Sequence, residues 1–205
     1  MRFLILGGTG PTGIHLIRET LKVYEGSTAV VYARAPEKLP EDLTSHPSIV
    51  VIKGVLEDLE AFEKAVEGVD VVLSALGPTS GPKAGPTPVA TAYQRFIPLM
   101  KKHGVKRLIA LNTASHIDPN DEPSWKYSIM VWAVRILVPG SYAELLGVDQ
   151  AIVEGAGDGT LEWTIVRVPG LTNLENDEVR AGYVGDEGIG LQVSRRAFAV
   201  FVAGE

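Results

Sequence analysis

Cysteine is missing from the 205-residue chain, which excludes disulfides, thiolate chemistry and zinc sites with cysteine ligands. The four histidines are scattered without the spacing of metal ligands, so no metal site is predicted. There is no block of basic residues, and the formal net charge is −6, which makes nucleic acid a poor partner. Because 45% of the residues are hydrophobic, the composition is typical of a folded domain with a substantial core.

Long hydrophobic runs are scarce as well. The longest apolar stretch, residues 127–138, is interrupted by Arg135 and falls short of the roughly 20 residues that span a bilayer. Met1 and Arg2 lead directly into a short apolar segment, without the apolar region of a signal peptide. These features predict a cytoplasmic protein with no membrane partner.

Glycine, by contrast, is concentrated near the start of the chain. Residues 5–13 read ILGGTGPTG, between an apolar strand-like run and a segment with helical spacing of apolar residues. In such a strand–turn–helix unit, Gly7 permits the tight turn, Gly10 lets the backbone approach a pyrophosphate, and Gly13 lets the helix pack closely. Free N–H groups at the helix start would bind the negative charge. The predicted dinucleotide contacts in this turn are Gly7, Thr9, Gly10, Pro11, Thr12 and Gly13.

Apolar strand-like runs alternate with helical segments along the rest of the chain. The runs cover residues 29–33, 49–52, 69–75, 108–111 and 163–168, and the helical segments lie near 58–67, 89–103, 127–137 and 142–155. This alternation predicts an α/β fold, a single doubly wound parallel sheet of Rossmann-like type with helices on both faces, in one domain spanning residues 1–205. A Gly- and Pro-rich loop at 77–88 is expected on the cofactor side of the sheet.

Residue 34 indicates which dinucleotide is used. Arg34 follows the second strand, where an acidic residue commonly binds the ribose 2′-OH of NAD and a basic residue suits the 2′-phosphate of NADP. NADP is therefore the predicted cofactor, with NAD as the alternative. A solvated surface arginine is the other interpretation of this position.

Several blocks carry a resemblance to a known family. They are GGTGPTG at 7–13, YAR at 32–34, GVDVVLSALG at 68–77, HGVKRLIALNTAS at 103–115, LEWTIVRVPGLT at 161–172, and the later AGYVGDEG and VSRRAFAVFV. On these blocks the chain resembles the atypical short-chain dehydrogenase/reductase superfamily, in its NAD(P)H-binding, NmrA-like branch, which includes the biliverdin reductase B type of flavin reductase.

The resemblance implies further cofactor contacts from the loops after the third to sixth strands. These are backbone contacts from Val55 and Leu56, together with Ala75, Leu76, Gly77, Asn112, Pro169, Gly170 and Leu171. Thr113 stands where the biliverdin reductase B type carries a serine, and it is the candidate catalytic residue. Its hydroxyl could instead serve only as a hydrogen-bonding group at a strand end.

The chain departs from the superfamily at the catalytic pair Tyr-x-x-x-Lys. Tyr127 is followed four residues later by Val131, and Tyr142 by Leu146, so reduction with a lysine-activated tyrosine acid is not predicted. The favoured function is an NADPH-dependent reductase that transfers hydride to a planar or apolar small molecule such as a flavin, a quinone or a tetrapyrrole. The alternative is a non-catalytic NAD(P)-binding redox sensor of the NmrA type, which acts on a protein partner.

The segment 117–148 is unusually apolar and rich in aromatic residues. Core packing, a lid over an apolar substrate pocket and a dimer face all explain this composition. The protein is accordingly expected to be a monomer or a homodimer.

Overall fold

A single parallel sheet forms the centre of the protein, whose computed structural model describes residues 1–78 and 85–205. Its strands are β1 (Arg2–Leu6), β2 (Thr28–Ala33), β3 (Ile49–Lys53), β4 (Val71–Ser74), β5 (Arg107–Thr113) and β6 (Glu162–Val168). They lie in the order β3-β2-β1-β4-β5-β6, and every neighbouring pair is parallel. This is the strand order of a dinucleotide-binding Rossmann sheet.

Seven helices are described around the strands. They are α1 (Pro11–Val23), α2 (Glu41–Thr44), α3 (Leu59–Val66), α4 (Pro88–Lys102), α5 (Trp125–Leu137), α6 (Pro139–Ala156) and α7 (Arg195–Gly204), with a 3₁₀ turn at Pro36–Lys38. Two short strands, β7 (Gly170–Thr172) and β8 (Gln192–Ser194), form a separate parallel pair.

The core lies in two layers, one on each face of the sheet. Along β1, Leu4 and Leu6 point into the layer covered by α3, α4 and α6, whereas Phe3 and Ile5 point into the layer covered by α1, α2 and α7. Every one of these four side chains is at least 98% buried, because alternate residues of a strand face opposite sides of the sheet. The predicted doubly wound α/β fold is therefore confirmed.

The predicted segments agree with the described strands and helices to within a few residues. The short elements α2, β7 and β8 were not predicted, because four-residue and three-residue segments carry too little periodicity. The ten-residue helix α7 was not predicted either. Part of the predicted loop at 77–88, residues 79–84, lies outside the described residues.

Helices α5 and α6 are the most apolar of the described helices, and they meet at a bend of 115°. Within the described ranges, no single helix is long and apolar enough to cross a membrane.

Candidate dinucleotide site and active site

The turn between β1 and α1 is built on two glycines that the fold itself requires. Gly7 has φ +74°, and a Cβ there would lie 2.7 Å from the backbone of Ala75 at the end of β4. A Cβ on Gly13 would overlap the carbonyl oxygen of Gly7. The turn, the start of α1 and the end of β4 are thus in direct backbone contact, which is the close packing predicted for Gly13.

Gly10 is different, because nothing in the described protein requires glycine there. It has φ −82°, and an added Cβ would meet only the Gly7 carbonyl oxygen, at an ordinary 3.4 Å. Gly10 is the N-cap residue of α1, makes no side-chain cap, and precedes a first helical turn without acidic residues. The helix start is therefore an uncapped, locally positive site, as an approaching phosphate needs.

The other predicted site residues also lie at the carboxyl ends of the strands. Because all six strands are parallel, these ends meet at one edge of the sheet, where open α/β sheets bind their ligands. Arg34 directly follows β2 and is exposed, and it makes no hydrogen bond or ion pair with any residue that the structure describes. Its guanidinium is therefore free to pair with a ligand phosphate.

The loop after β3 is held against β2 by Tyr32. The Tyr32 hydroxyl donates to the carbonyl oxygens of Val55 at 2.7 Å and Asp58 at 3.1 Å, and burial raises the pKa of Tyr32 to about 12. This clamp fixes the backbone of Val55, whose side chain is 42% exposed, beside the half-buried Leu56. The predicted backbone contacts of Val55 and Leu56 with the cofactor would therefore come from a loop that Tyr32 holds in place.

The loop after β4 is joined both to the glycine turn and to a buried hydroxyl pair. The Ala75 N–H donates to the carbonyl oxygen of Leu6, and the Leu76 N–H donates to the Ser74 hydroxyl at 3.3 Å. The same hydroxyl accepts a 2.6 Å hydrogen bond from Tyr93, whose pKa burial raises. Gly77 follows in a partly exposed position, with open space where a Cβ would stand.

The end of β5 is tied to α6 by Asn112, whose side chain is completely buried. Its amide donates to the carbonyl oxygen of Leu145 at 2.9 Å and to the carboxylate of Asp149, and its oxygen accepts from the N–H of Thr113 at 2.8 Å. Asn112 was predicted to line the cofactor, but its side chain is hydrogen-bonded within the protein. The whole residue is buried, and it is paired with Arg167 in the β5–β6 ladder.

Thr113, the candidate catalytic residue, is partly buried at the end of β5. Its hydroxyl lies 2.9 Å from that of Ser115, so the two form a hydroxyl pair at the carboxyl edge of the sheet. Asp149, Asn112 and Thr113 thus form a chain of contacts from α6 to this edge. Through this chain, the buried carboxyl positions the backbone on which the candidate hydroxyl sits.

Two buried carboxyl groups on α6, Glu144 and Asp149, were missed in the sequence analysis. Each has one carboxyl oxygen without a partner in the described residues, and the other oxygen of Glu144 accepts from the Ala90 N–H at 2.7 Å. Burial raises the pKa of Asp149 to about 6, although the Asn112 hydrogen bond opposes this shift. The available signal was an acidic residue at helical spacing with Leu145 and Val148, on the apolar face of α6.

Tyr127 is held inside the protein by its hydroxyl. It is 94% buried, its hydroxyl donates to the carbonyl oxygen of Gly190 at 2.7 Å, and burial raises its pKa. A tyrosine that acts as an acid near neutral pH needs the opposite shift. Tyr127 instead fastens α5 to the segment that precedes β8.

After β6, the chain passes through Pro169 into β7. The Gly170 N–H donates to the carbonyl oxygen of Leu191 at 3.1 Å, and Leu171 is paired with Val193 of β8 and packs against the core. These two predicted cofactor residues are therefore part of the small β7–β8 sheet. Pro169 remains at the carboxyl end of the main sheet.

A large cavity runs along the open edge of β6. It encloses about 780 Å³ between residues 163–169 of this strand region, the segment 178–190 and α7, and its wall includes His116, Tyr127 and Pro169. This volume lies in the usual range for small-molecule sites. The cavity does not cover the glycine turn, and Pro169 is the predicted cofactor residue that lines it.

A bidentate ion pair closes one wall of this cavity. Arg167 on β6 holds both carboxylate oxygens of Asp121 at 2.6 Å, and Asp121 also accepts from the N–H groups of Asp118 and Val184. The pair lowers the pKa of Asp121 to about 2 and raises that of Arg167. Both side chains are nearly buried, so the pair ties the segments 116–122 and 178–190 firmly to β6.

Fold and turn together define a dinucleotide-binding protein of the Rossmann class. The chain belongs to the NAD(P)H-binding family, whose model matches residues 7–204, and this match confirms the predicted family and the predicted class of cofactor. No curated protein sequence matches the chain.

Solved structures share the fold at low sequence identity. A wide-type short-chain dehydrogenase/reductase from Veillonella parvula DSM 2008, in complex with NADP, is 19% identical with a TM-score of 0.75, and the match covers 98% of this chain and 84% of that one. A Rossmann-fold NAD(P)-binding protein from Shigella flexneri is 22% identical with a TM-score of 0.70, over 99% and 84% of the two chains. ChuY, an anaerobillin reductase from Escherichia coli O157:H7, is 16% identical with a TM-score of 0.68, over 100% and 89%.

Proposed function

We propose that the protein is an NADPH-dependent reductase that delivers hydride to a planar or apolar small molecule. The pyrophosphate would lie on the uncapped start of α1 against Gly10, and the 2′-phosphate would pair with Arg34. One observation carries this assignment. At the edge where a dinucleotide binds, the packing does not require a glycine at position 10, and Arg34 has no partner among the described residues. An NADP complex with the same fold, that of the Veillonella protein, supports the choice of cofactor.

A bound NADPH would supply hydride from its nicotinamide ring, and this chain's residues would orient the acceptor. Ala75, Leu76 and Gly77 would form one wall of the nicotinamide site, and Thr113 would offer its hydroxyl to a heteroatom of the acceptor. Holding two rings in a reactive arrangement supplies a large part of such a rate without an acid. The raised pKa values of Tyr93 and Tyr127 leave both phenols as poor acids, which fits an acceptor of this kind.

The cavity along β6 would hold an apolar part of the acceptor. Its lining includes Tyr127, Trp163 and Ile165, and Pro169 at one end belongs to the predicted cofactor site. The likeness in fold to ChuY, an anaerobillin reductase, supports an acceptor of this kind. We further propose that residues 1–205 act as one NAD(P)-binding domain, because α6 packs on the same core layer as α3 and α4.

Oxidation of NADPH against a panel of flavins, quinones and linear tetrapyrroles tests the proposal. Turnover with at least one acceptor is expected, with NADPH preferred over NADH. Arg34→Ala should remove most of this preference, whereas Arg95→Ala, an exposed arginine on α4, serves as the matched control and should preserve it. Equal use of NADPH and NADH by the wild type would reject the role of Arg34.

A non-catalytic redox sensor is the second candidate, and the buried, unactivated tyrosines favour it. A sensor would bind NADPH or NADP with the same Arg34 dependence but would turn over no acceptor in the panel. It would also bind a protein partner with an affinity that changes between the oxidised and reduced cofactor. Calorimetry with both cofactor forms, combined with the turnover panel, separates the two functions.

A further inference from the structure

Helix α5 turns an apolar stripe toward the outside of the protein. The stripe consists of Trp125, Ile129, Trp132 and Ile136, whose exposed fractions are 71%, 56%, 63% and 57%. Their spacing of four, three and four residues places them on one side of a helix. Large apolar side chains that line up in this way on a surface mark a contact site rather than scattered exposure.

The opposite side of α5 is fixed to the protein, so the orientation of the stripe is set by the fold. Tyr127 is the one buried residue of the helix, and its hydrogen bond to Gly190 holds that side inward. The stripe therefore points away from the β6 cavity. This geometry does not fit a lid that covers a substrate with its apolar residues.

The charged residues of α5 itself are all of one sign. From residue 124 to residue 143 the charged side chains are Lys126 and Arg135, in a chain whose net charge is −6. At about 100° per residue, Lys126 and Arg135 fall on opposite flanks of the stripe. Neither forms an ion pair within the described part of the chain, and Lys126 lies 5.9 Å from the Trp125 ring. Long basic side chains beside tryptophans are the pattern of a helix that lies at a lipid headgroup layer.

A second copy of this chain fits the stripe poorly. A second copy of α5 would bring the same two positive charges to the interface, so the two copies would repel each other electrostatically. No acidic residue between 124 and 143 could compensate for this repulsion. The positive flanks instead complement a negatively charged surface.

We propose that α5 docks on an anionic membrane surface, with its axis in the plane of the headgroups. The helix has 13 residues, about 20 Å of length, which is too short to cross a hydrocarbon core of about 30 Å. The bend of 115° and the burial of α6 against α4 prevent the helix pair from acting as a straight span. The expectation of no membrane partner rested on the length of the apolar run, which excludes a span and leaves a surface contact open.

Vesicle flotation tests the proposal. The full chain is mixed with vesicles of phosphatidylcholine alone, or of phosphatidylcholine with phosphatidylglycerol, at low and high salt. We expect binding to the anionic vesicles, weakening as salt rises, and little binding to the neutral ones. Tryptophan emission should shift to the blue on binding, because Trp125 and Trp132 would enter a drier environment.

Two variants and one control separate the contributions. Trp132→Glu should abolish flotation, and the double variant Lys126→Glu with Arg135→Glu should lose at least the roughly five-fold per basic residue that such contacts supply. Leu174→Glu, at a 61% exposed apolar position outside α5, should bind as the wild type does. Because Trp132 is largely exposed, its substitution removes little packing, and an unchanged melting temperature would confirm a folded variant.

Failure to float with anionic vesicles would overturn the proposal. Equal binding to neutral and anionic vesicles would also overturn it, because the basic flanks would then have no role. Light scattering should show that the wild type without vesicles has the same mass as Trp132→Glu. A wild-type dimer that Trp132→Glu converts to monomer would assign the stripe to a second copy. None of these measurements depends on turnover, so the proposal stands or falls separately from the proposed reductase function.

Discussion

Substitution of Asp149 by Asn should change how the stability of the protein depends on pH. Asp149 is completely buried, one of its oxygens has no partner in the described residues, and the other accepts from the amide of Asn112. An asparagine has nearly the same shape and keeps an oxygen to accept that hydrogen bond. The exchange therefore removes mainly the ability of residue 149 to ionise.

The magnitude follows from the pKa shift. The pKa of Asp149 rises from an ordinary value of 3.8 to about 6 on folding. At roughly 1.4 kcal/mol per pKa unit, keeping Asp149 ionised above pH 6 costs the folded state about 3 kcal/mol. Because the pKa is higher in the folded state, the folded protein binds more protons than the unfolded chain between pH 4 and 6. The contribution of Asp149 to stability therefore falls as pH rises through this range.

Urea unfolding followed by tryptophan fluorescence, repeated from pH 4 to pH 8, measures this effect. The free energy of unfolding of Asp149→Asn, minus that of the wild type, should increase by about 2 kcal/mol from pH 4 to pH 7.5. Taking the difference between the two proteins cancels the effect of other titrating groups such as Asp121. Any constant cost of the new amide shifts this difference equally at every pH. Glu154→Gln, at an exposed position of the same helix, controls for the exchange of an acid for its amide. A difference that stays constant within about 0.5 kcal/mol across this range would refute a buried, ionising Asp149.

The remaining predictions concern the glycine turn, the cofactor, the candidate hydroxyl, Tyr127 and the ion pair. Gly10→Val should abolish NADPH binding in calorimetry while the protein stays folded. Gly13→Ala should unfold or strongly destabilise the protein, because the new Cβ would overlap the Gly7 carbonyl oxygen. Unchanged NADPH affinity of Gly10→Val would contradict the proposed site. Arg34→Ala should weaken NADPH binding by ten-fold or more, on the order of a charge-assisted pair, and leave NADH binding nearly unchanged. Thr113→Val should lower turnover by less than the roughly 100-fold that is typical of a lost general acid. Tyr127→Phe should lower the free energy of unfolding by about 1 kcal/mol and leave turnover nearly unchanged. A thousand-fold loss of turnover in Tyr127→Phe, with NADPH binding intact, would mean that this tyrosine is the acid. Asp121→Asn should lower the free energy of unfolding by about 2 kcal/mol at pH 7, because the pKa of Asp121 is held near 2, and this difference should shrink as pH falls from 4 toward 2; an equal loss at pH 3 and pH 7 would count against the Arg167 pair.

Local patterns were sufficient to predict the sheet and the cofactor turn. The strands of a parallel sheet are buried on both faces, so each appears as a continuous apolar run bounded by helical segments, as in residues 29–33. The glycine turn is equally local, because the tight turn, the close helix and the free helix start all lie within residues 5–13. Arg34 could be selected as well, since its importance depends only on its place after the second strand.

Only the tertiary structure decided which polar groups are hydrogen-bonded within the protein and which remain available to a ligand. Asn112 stands near the carboxyl end of β5, as predicted, but its amide is bound to α6, more than 30 residues along the chain. Asp149 acquires its raised pKa and Tyr127 its buried hydroxyl from packing against distant segments, which no local pattern records. The outward stripe on α5 is likewise a result of the fold, because a helix apolar on several sides does not show which side the protein covers. Burial and long-range hydrogen bonding depend on residues far apart in sequence, and only the folded chain brings those residues together.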